Sequence, residues 1–110
     1  MAEVTWEESA AVIHMPEIYG MATLKTVKET LYELVEKGSE KIIADFTNTH
    51  LIDSSGIGEL VSSYVSVKNA GGKLRIARVP EKIMLILEYT SLGNIIEVFD
   101  NEAAALEDFG

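Results

Sequence analysis

The 110-residue sequence has no cysteine, two histidines, and only 9 basic residues against 18 acidic ones. The absence of cysteine excludes disulfides, thiol catalysis and thiolate metal sites. The net charge of −9 makes nucleic acid and anionic membrane surfaces unsuitable partners, because both would repel the chain. The same charge would attract a basic protein partner, although a need for solubility explains it equally well.

Long apolar runs are also missing. No stretch approaches the roughly 18 apolar residues that indicate a membrane span. Residues 1–4 carry neither the basic region nor the apolar run of a signal peptide. We therefore expect one cytoplasmic domain over residues 1–110, with no membrane association.

Common catalytic and nucleotide-binding motifs are absent as well. The chain contains no G-x-S-x-G elbow, no P-loop and no G-x-G-x-x-G turn. Its histidines, His14 and His50, lack the spacing of metal ligands. We expect His14 to lie in a strand with its ring hydrogen-bonded, and His50 to lie in a loop. The sequence predicts a protein that is not an enzyme, with no catalytic residues, metal or cofactor.

Short apolar runs alternate with amphipathic segments along the chain. Strands are predicted at residues 3–7, 10–15, 41–46, 73–79 and 95–99, and helices at about 23–37, 55–69, 80–87 and 102–109. The first two strands form a hairpin, and helices then alternate with strands, which favours parallel pairing with right-handed crossovers. The predicted fold is α/β, with a mixed, mainly parallel sheet of about five strands and about four helices.

The most informative stretch is Asp53-Ser54-Ser55-Gly56, followed by Ile57-Gly58. It lies between an apolar strand and an amphipathic helix, beyond the carboxyl end of the strand, where open α/β sheets gather their sites. Aspartate and serine are favoured helix caps. A phosphate on a hydroxyl here would meet unpaired N–H groups and the positive end of the helix dipole. The residues alone therefore allow a helix cap or a phosphorylation switch.

Residues 51–58, Leu-Ile-Asp-Ser-Ser-Gly-Ile-Gly, are similar to the phosphorylation loop of anti-sigma factor antagonists, the bacterial members of the STAS domain family. Residues 68–74 and 90–96 extend the similarity, so with the element order it covers nearly the whole chain. The resemblance implies a small α/β domain without catalytic activity of its own. It also implies that Ser54 is phosphorylated by an anti-sigma factor that is a serine kinase.

The same resemblance implies a partner-switching cycle. The unphosphorylated form would bind the kinase and free a sigma factor, and a PP2C-type phosphatase would reset the switch. Ser55 would cap the helix, and Asp53 would shape the loop and the kinase contact. The residues expected to form the loop or to contact the partner are Asp53, Ser55, Gly56, Ile57, Gly58, Glu17, Tyr19 and His50.

The chain departs from the family pattern at residues 15–19, Met-Pro-Glu-Ile-Tyr. Members often carry a Gly-Glu-Leu-Asp-like segment here, near the partner surface. Tyr19 stands in place of the acid and Pro16 in place of the glycine, which indicates a divergent partner.

An alternative is a STAS scaffold, or an interaction subunit of a signalling or transport complex, in which the serine is not modified. The apolar helix over residues 83–87 would then be its docking surface.

Overall fold

The computed structural model describes residues 2–109. Two layers of helices enclose a central sheet, and a second, two-stranded sheet lies at one end. The strands are β1 (Glu3–Glu7), β2 (Ala10–His14), β3 (Ile18–Tyr19), β4 (Lys41–Asp45), β5 (Leu51–Ile52), β6 (Lys73–Ala77) and β7 (Val98–Phe99). The helices are α1 (Leu24–Glu36), α2 (Ser54–Asn69), α3 (Glu81–Tyr89) and α4 (Glu102–Asp108), with a 3₁₀ turn at Leu92–Asn94.

The central sheet has the strand order β1-β2-β4-β6-β7. The β1–β2 pair is an antiparallel hairpin that turns at residues 8–9, and the other pairs are parallel. The expected mixed, mainly parallel sheet of five strands with four helices is therefore confirmed over residues 2–109. The parallel strands end at one edge, and the segments that follow β4 and β6 emerge there.

Strand β4 shows why both faces of the sheet must be covered. Ile42 and Ala44 pack in the larger core cluster with residues of α1, α2 and α3. Ile43 points to the other side and packs with Ala105 of α4. The continuous apolar run of this strand follows from burial on both faces, because successive strand residues point in opposite directions.

The last third of the chain departs from the sequence-based expectation. The final strand covers only Val98–Phe99 rather than 95–99, because the chain is still turning at Ile96, whose N–H donates to the Leu92 carbonyl at 2.9 Å. Helix α3, apolar nearly all round, was expected to be heavily covered or to lie at an interface, and the structure covers one side of it. Ile83 and Leu87 are buried, but the Leu85 side chain is 61% exposed. Among residues 2–109, no helix has the length and apolarity needed to cross a membrane.

Candidate functional site at the start of α2

Strands β3 and β5 form the platform on which α2 begins. They pair in parallel, with Ile18 beside Leu51 and Tyr19 beside Ile52. Backbone bonds extend the pairing at both ends: His50 N–H donates to Glu17 O at 2.9 Å, and Asp53 N–H to Tyr19 O at 3.2 Å. The segment before α1 is thereby fixed to the loop before α2. Neither two-residue strand was predicted from the sequence.

Asp53 joins these two segments through its carboxylate. Oδ1 accepts the Gly56 N–H at 2.9 Å, which caps α2, and Oδ2 accepts the Met21 N–H at 3.2 Å. These backbone hydrogen bonds, from Gly56 first and then Met21, hold the pKa of Asp53 below its usual range. The carboxylate therefore stays charged at neutral pH and fixes the first turn of α2 against the Gly20–Met21 backbone.

Two glycines make this close approach possible. A Cβ at Gly20 would collide with the Asp53 carboxylate, and a Cβ at Gly56 would lie 2.8 Å from the Tyr19 carbonyl carbon and closer still to its oxygen. Gly58, two residues further on, faces open space. Gly56 is therefore needed for contact with β3, whereas Gly58 is not.

Ser54 is the first residue of α2, and its side chain is exposed. Ser55 is half-buried. The expectation that Ser55 caps the helix is wrong, because Asp53 occupies the cap position and accepts the Gly56 N–H. The first turn of α2 contains no acidic residue. An exposed hydroxyl thus lies at the positive end of a helix, next to the capping carboxylate of Asp53.

Exposed apolar side chains lie beside this helix start. We name Ile18, Met21 and Leu51 the loop patch; they are 50%, 75% and 45% exposed. Ile18 and Leu51 are register neighbours, and Met21 is bonded through its backbone to Asp53. Glu17 and His50 are exposed at the start of the same strand pair. The structure therefore brings the sequence-predicted residues together at one end of the molecule.

Tyr19 is the exception to the expectation that these side chains face a partner. Its side chain is fully buried, its ring lies 6.2 Å from that of Phe46, and its hydroxyl donates to Glu59 Oε2. A side chain with no exposed surface cannot touch a partner, so its predicted role as a direct contact is corrected. Position 19, where the resemblance implies an acid at the partner surface, holds a buried phenol in this chain.

Glu59 and Ser63, on the buried side of α2, were missed from the sequence. Ser63 Oγ donates to Glu59 Oε1 at 2.6 Å, and burial raises the pKa of the Glu59 carboxyl. The residue type of Glu59 argues against burial, because charged residues normally face solvent. Helical spacing from Gly56 through Leu60 to Val67 places residues 59 and 63 on the same inward stripe. That spacing was the signal available.

Comparison with known proteins identifies the family. Residues 3–105 match the STAS domain. The chain belongs to the STAS domain family. A Thermotoga neapolitana protein, provisionally named an anti-sigma factor antagonist, is 30% identical over 76 residues, which cover 69% of this chain and 67% of that protein.

Solved STAS structures share the fold. The crystal structure of a Thermotoga maritima protein, also provisionally named an anti-sigma factor antagonist, superposes with a TM-score of 0.87 at 22% identity. The match covers 97% of this chain and 92% of that one. SpoIIAA, a Bacillus cell fate determinant solved in its phosphorylated form, superposes with a TM-score of 0.73 at 14% identity over 100% of both chains. The anti-sigma factor antagonist SpoIIAA has also been solved in its unphosphorylated form, and that structure superposes with the same TM-score of 0.73.

The described residues hold no preformed metal site. Within 2–109, no three His, Asp or Glu side chains are placed to share a metal ion. What the start of α2 does present is an exposed hydroxyl, a charged capping carboxylate and an apolar border.

Proposed function

We propose that this protein is an anti-sigma factor antagonist that acts by binding and is switched off by phosphorylation of Ser54. The kinase in this proposal is the anti-sigma factor itself, a serine kinase, and a PP2C-type phosphatase restores the hydroxyl. The cycle would run in the cytoplasm. The observation that carries the proposal is the exposed Ser54 hydroxyl at the first position of a capped helix.

The surroundings of Ser54 support a phosphate that leaves the fold intact. A phosphoserine carries about −1.5 to −2 charges at pH 7. Backbone N–H groups and the positive end of the α2 dipole lie at this position. The adjacent Asp53 carboxylate is engaged by the Gly56 and Met21 N–H groups, and the first turn of α2 contains no further acid. The modified domain is expected to keep its structure.

The loop patch supports the partner-binding half of the proposal. Ile18, Met21 and Leu51 offer apolar contacts beside the acceptor, with Glu17 and His50 at their border. A phosphate introduced at the centre of such a contact must lose its water or lie against partner groups that do not pair with its negative charge. Either outcome costs binding free energy. Each 1.4 kcal/mol of that cost lowers affinity about tenfold, so a modest penalty is enough to release the partner.

The experiment is incubation with ATP and each candidate anti-sigma serine kinase from the same genome, followed by measurement of the intact mass. Wild type is expected to gain one phosphate, and Ser54→Ala none. Ser55→Ala is the matched control, because it removes the neighbouring hydroxyl, and it should still gain one phosphate. A phosphate that survives Ser54→Ala but disappears in Ser55→Ala would contradict the assignment.

A scaffold role is the second candidate, favoured by the exposed side of α3. Leu85 and Tyr89 are 61% and 93% exposed there, and α3 packs beside β5. If no kinase modifies wild type while a partner still binds and Leu85→Ser weakens that binding, the protein is a STAS interaction module without a switch.

A further inference from the structure

Tyr19 contacts the start of α2 at two points. Its backbone carbonyl accepts the Asp53 N–H at 3.2 Å and packs directly against Gly56. At the other end of the same residue, the hydroxyl donates to Glu59. Gly56 and Glu59 lie three residues apart, about one helical turn. One buried side chain thus spans from the acceptor loop to the second turn of α2.

Glu59 is held by donors from two directions. Tyr19 donates to one carboxyl oxygen and Ser63 to the other, at 2.6 Å for Ser63. The positive charge of Lys28, on α1, opposes the effect of burial and lowers the pKa of the Glu59 carboxyl. The carboxyl also borders a groove of about 410 Å³ between α1 and α2, lined in part by Leu31 and Tyr32. Its polar atoms are fully bonded within the fold, since residues 2–109 leave no buried side-chain polar atom without a partner.

Packing alone does not require this network. A phenylalanine would fill the Tyr19 site beside Phe46, and an apolar residue would fill the Glu59 site. A buried carboxyl is costly unless it is hydrogen-bonded, and a bonded pair is often no more stabilising than an apolar replacement. What a directional bond adds is a fixed distance between two elements. Here those elements are β3 and the helix that presents Ser54.

We propose that Tyr19 and Glu59 are positioning residues for Ser54. Their hydrogen bond fixes the first turn of α2 against β3. It thereby sets the orientation in which the Ser54 hydroxyl and the loop patch contact the kinase at the same time. This rests on the proposed function of Ser54. The buried Tyr19 then affects partner recognition through the position of the loop rather than by direct contact.

The first experiment needs no kinase. Amide hydrogen exchange is compared between wild type and Tyr19→Phe, with attention to the Asp53 and Gly56 N–H groups. Tyr19→Phe is expected to raise exchange at both by about tenfold, with little change at the amides of β4 in the sheet centre. Tyr64→Phe, which removes a hydroxyl elsewhere on α2 beside Lys68 and Leu74, is the matched control and should change neither. Unchanged exchange at Asp53 and Gly56 in Tyr19→Phe would overturn the proposal.

The second experiment measures phosphorylation kinetics. Tyr19→Phe is expected to lower kcat/KM for Ser54 about tenfold through a raised KM, while Tyr64→Phe matches wild type. Glu59→Gln keeps an oxygen that can accept the Tyr19 hydroxyl, so it should retain wild-type kinetics, whereas Glu59→Leu should behave like Tyr19→Phe. If Glu59→Gln is as slow as Glu59→Leu, the hydrogen bond is not what matters and the proposal fails.

The two experiments separate the inference from the function on which it rests. Faster exchange in Tyr19→Phe with no phosphorylation of wild type would contradict the Ser54 switch and confirm the hydrogen bond as a feature of the fold. Faster exchange with unchanged kinetics would leave the switch intact and overturn the positioning role. Should Tyr19→Phe fail to fold, Ser63→Ala loosens Glu59 from the other side, and Ser62→Ala, at the neighbouring position, is the control.

Discussion

Helices α2 and α4 begin in the same way but have different surroundings. Each follows an extended capping residue whose side-chain oxygen accepts the N–H three residues on: Asp53 from Gly56 and Asn101 from Ala104, both at 2.9 Å. In α4 the first helical position is occupied by Glu102, bonded to Arg78 at 2.6 Å. In α2 the same position holds the exposed Ser54.

The difference shows that a capped helix start is not by itself a switch site. Hydrogen bonding with Asp45, together with Arg78, lowers the pKa of Glu102 to about 2, so α4 carries a negative charge at its first helical position. In α2 the charge lies one residue earlier, on the capping carboxylate of Asp53. The start of α2 has no acid in its first turn, and contacts with β3 hold it in place. If those two features distinguish α2 from α4, matched substitutions in the two helices should have different effects.

The largest loss of stability is expected at Gly56, the third residue after the α2 cap, and it is compared with Ala104 at the same position in α4. Gly56→Ala places a methyl group against the Tyr19 carbonyl, where rigid backbone must move. Overpacking of this kind costs about 1–3 kcal/mol, and we expect the upper end in urea denaturation. Ala104→Gly in α4 should cost only about 0.5–1 kcal/mol, the ordinary helix penalty. A Gly56→Ala protein as stable as wild type would show that β3 does not constrain α2.

Removal of the caps gives the next effect. Asn101→Ala should lower the free energy of unfolding by about 1 kcal/mol, the usual loss at an N-cap. Asp53→Ala should lower it further, because Asp53 also accepts the Met21 N–H and so connects α2 to a second segment. Thermal melts of the two variants make the comparison. Equal losses would mean that the Met21 bond contributes nothing.

Acid should affect the two caps differently, since only one of them ionises. The lowered pKa of Asp53 means that its charge stabilises the fold above the unfolded-state value of about 3.9, and that this contribution is lost as pH falls through the folded-state pKa. In Asp53→Asn the free energy of unfolding should therefore depend less steeply on pH below about pH 5, while the asparagine still caps α2 as Asn101 caps α4. An identical acid profile in wild type and Asp53→Asn would contradict the hydrogen-bonded carboxylate.

The smallest change in stability is expected when α2 is made to resemble α4. Ser54→Asp puts an acid where α4 already carries Glu102. A charge at a helix N-terminus is worth about 0.3–1 kcal/mol, and repulsion from the adjacent Asp53 carboxylate opposes that gain. The free energy of unfolding should therefore change by less than about 1 kcal/mol. Ser62→Asp, at an exposed site in the same helix, is the control. A clear loss of stability in Ser54→Asp alone would mean that the site does not tolerate a phosphate.

The architecture could be predicted because it follows from the periodicity of apolar residues along the chain. The position of Ser54 could be predicted because it belongs to a specific octapeptide. The strands β3 and β5 could not, since two residues carry no pattern and their pairing depends on the fold. Sequence preference does not separate Ser55 from Asp53 as the cap, because both residue types favour that position, and only the backbone geometry decides between them.

Tyr19 and Glu59 show a second limit of sequence-based prediction. Tyr19 was expected to contact a partner and Glu59 looks like a surface residue by type, yet both are buried and hydrogen-bonded to each other. Helical spacing indicates that residue 59 faces inward, but nothing local in the sequence indicates that it pairs with Tyr19, 40 residues away. The apolar helix α3 is a related case, because its sequence does not say which side packs on the sheet.

The most direct test of the switch is the affinity of one partner for two forms of this protein. Purified anti-sigma kinase is titrated by calorimetry with unmodified protein and with protein phosphorylated at Ser54, without hydrolysable nucleotide. We predict at least about tenfold weaker binding of the phosphorylated form, equivalent to about 1.4 kcal/mol, with the melting temperatures of both forms alike. Equal affinities for the two forms would contradict the switch.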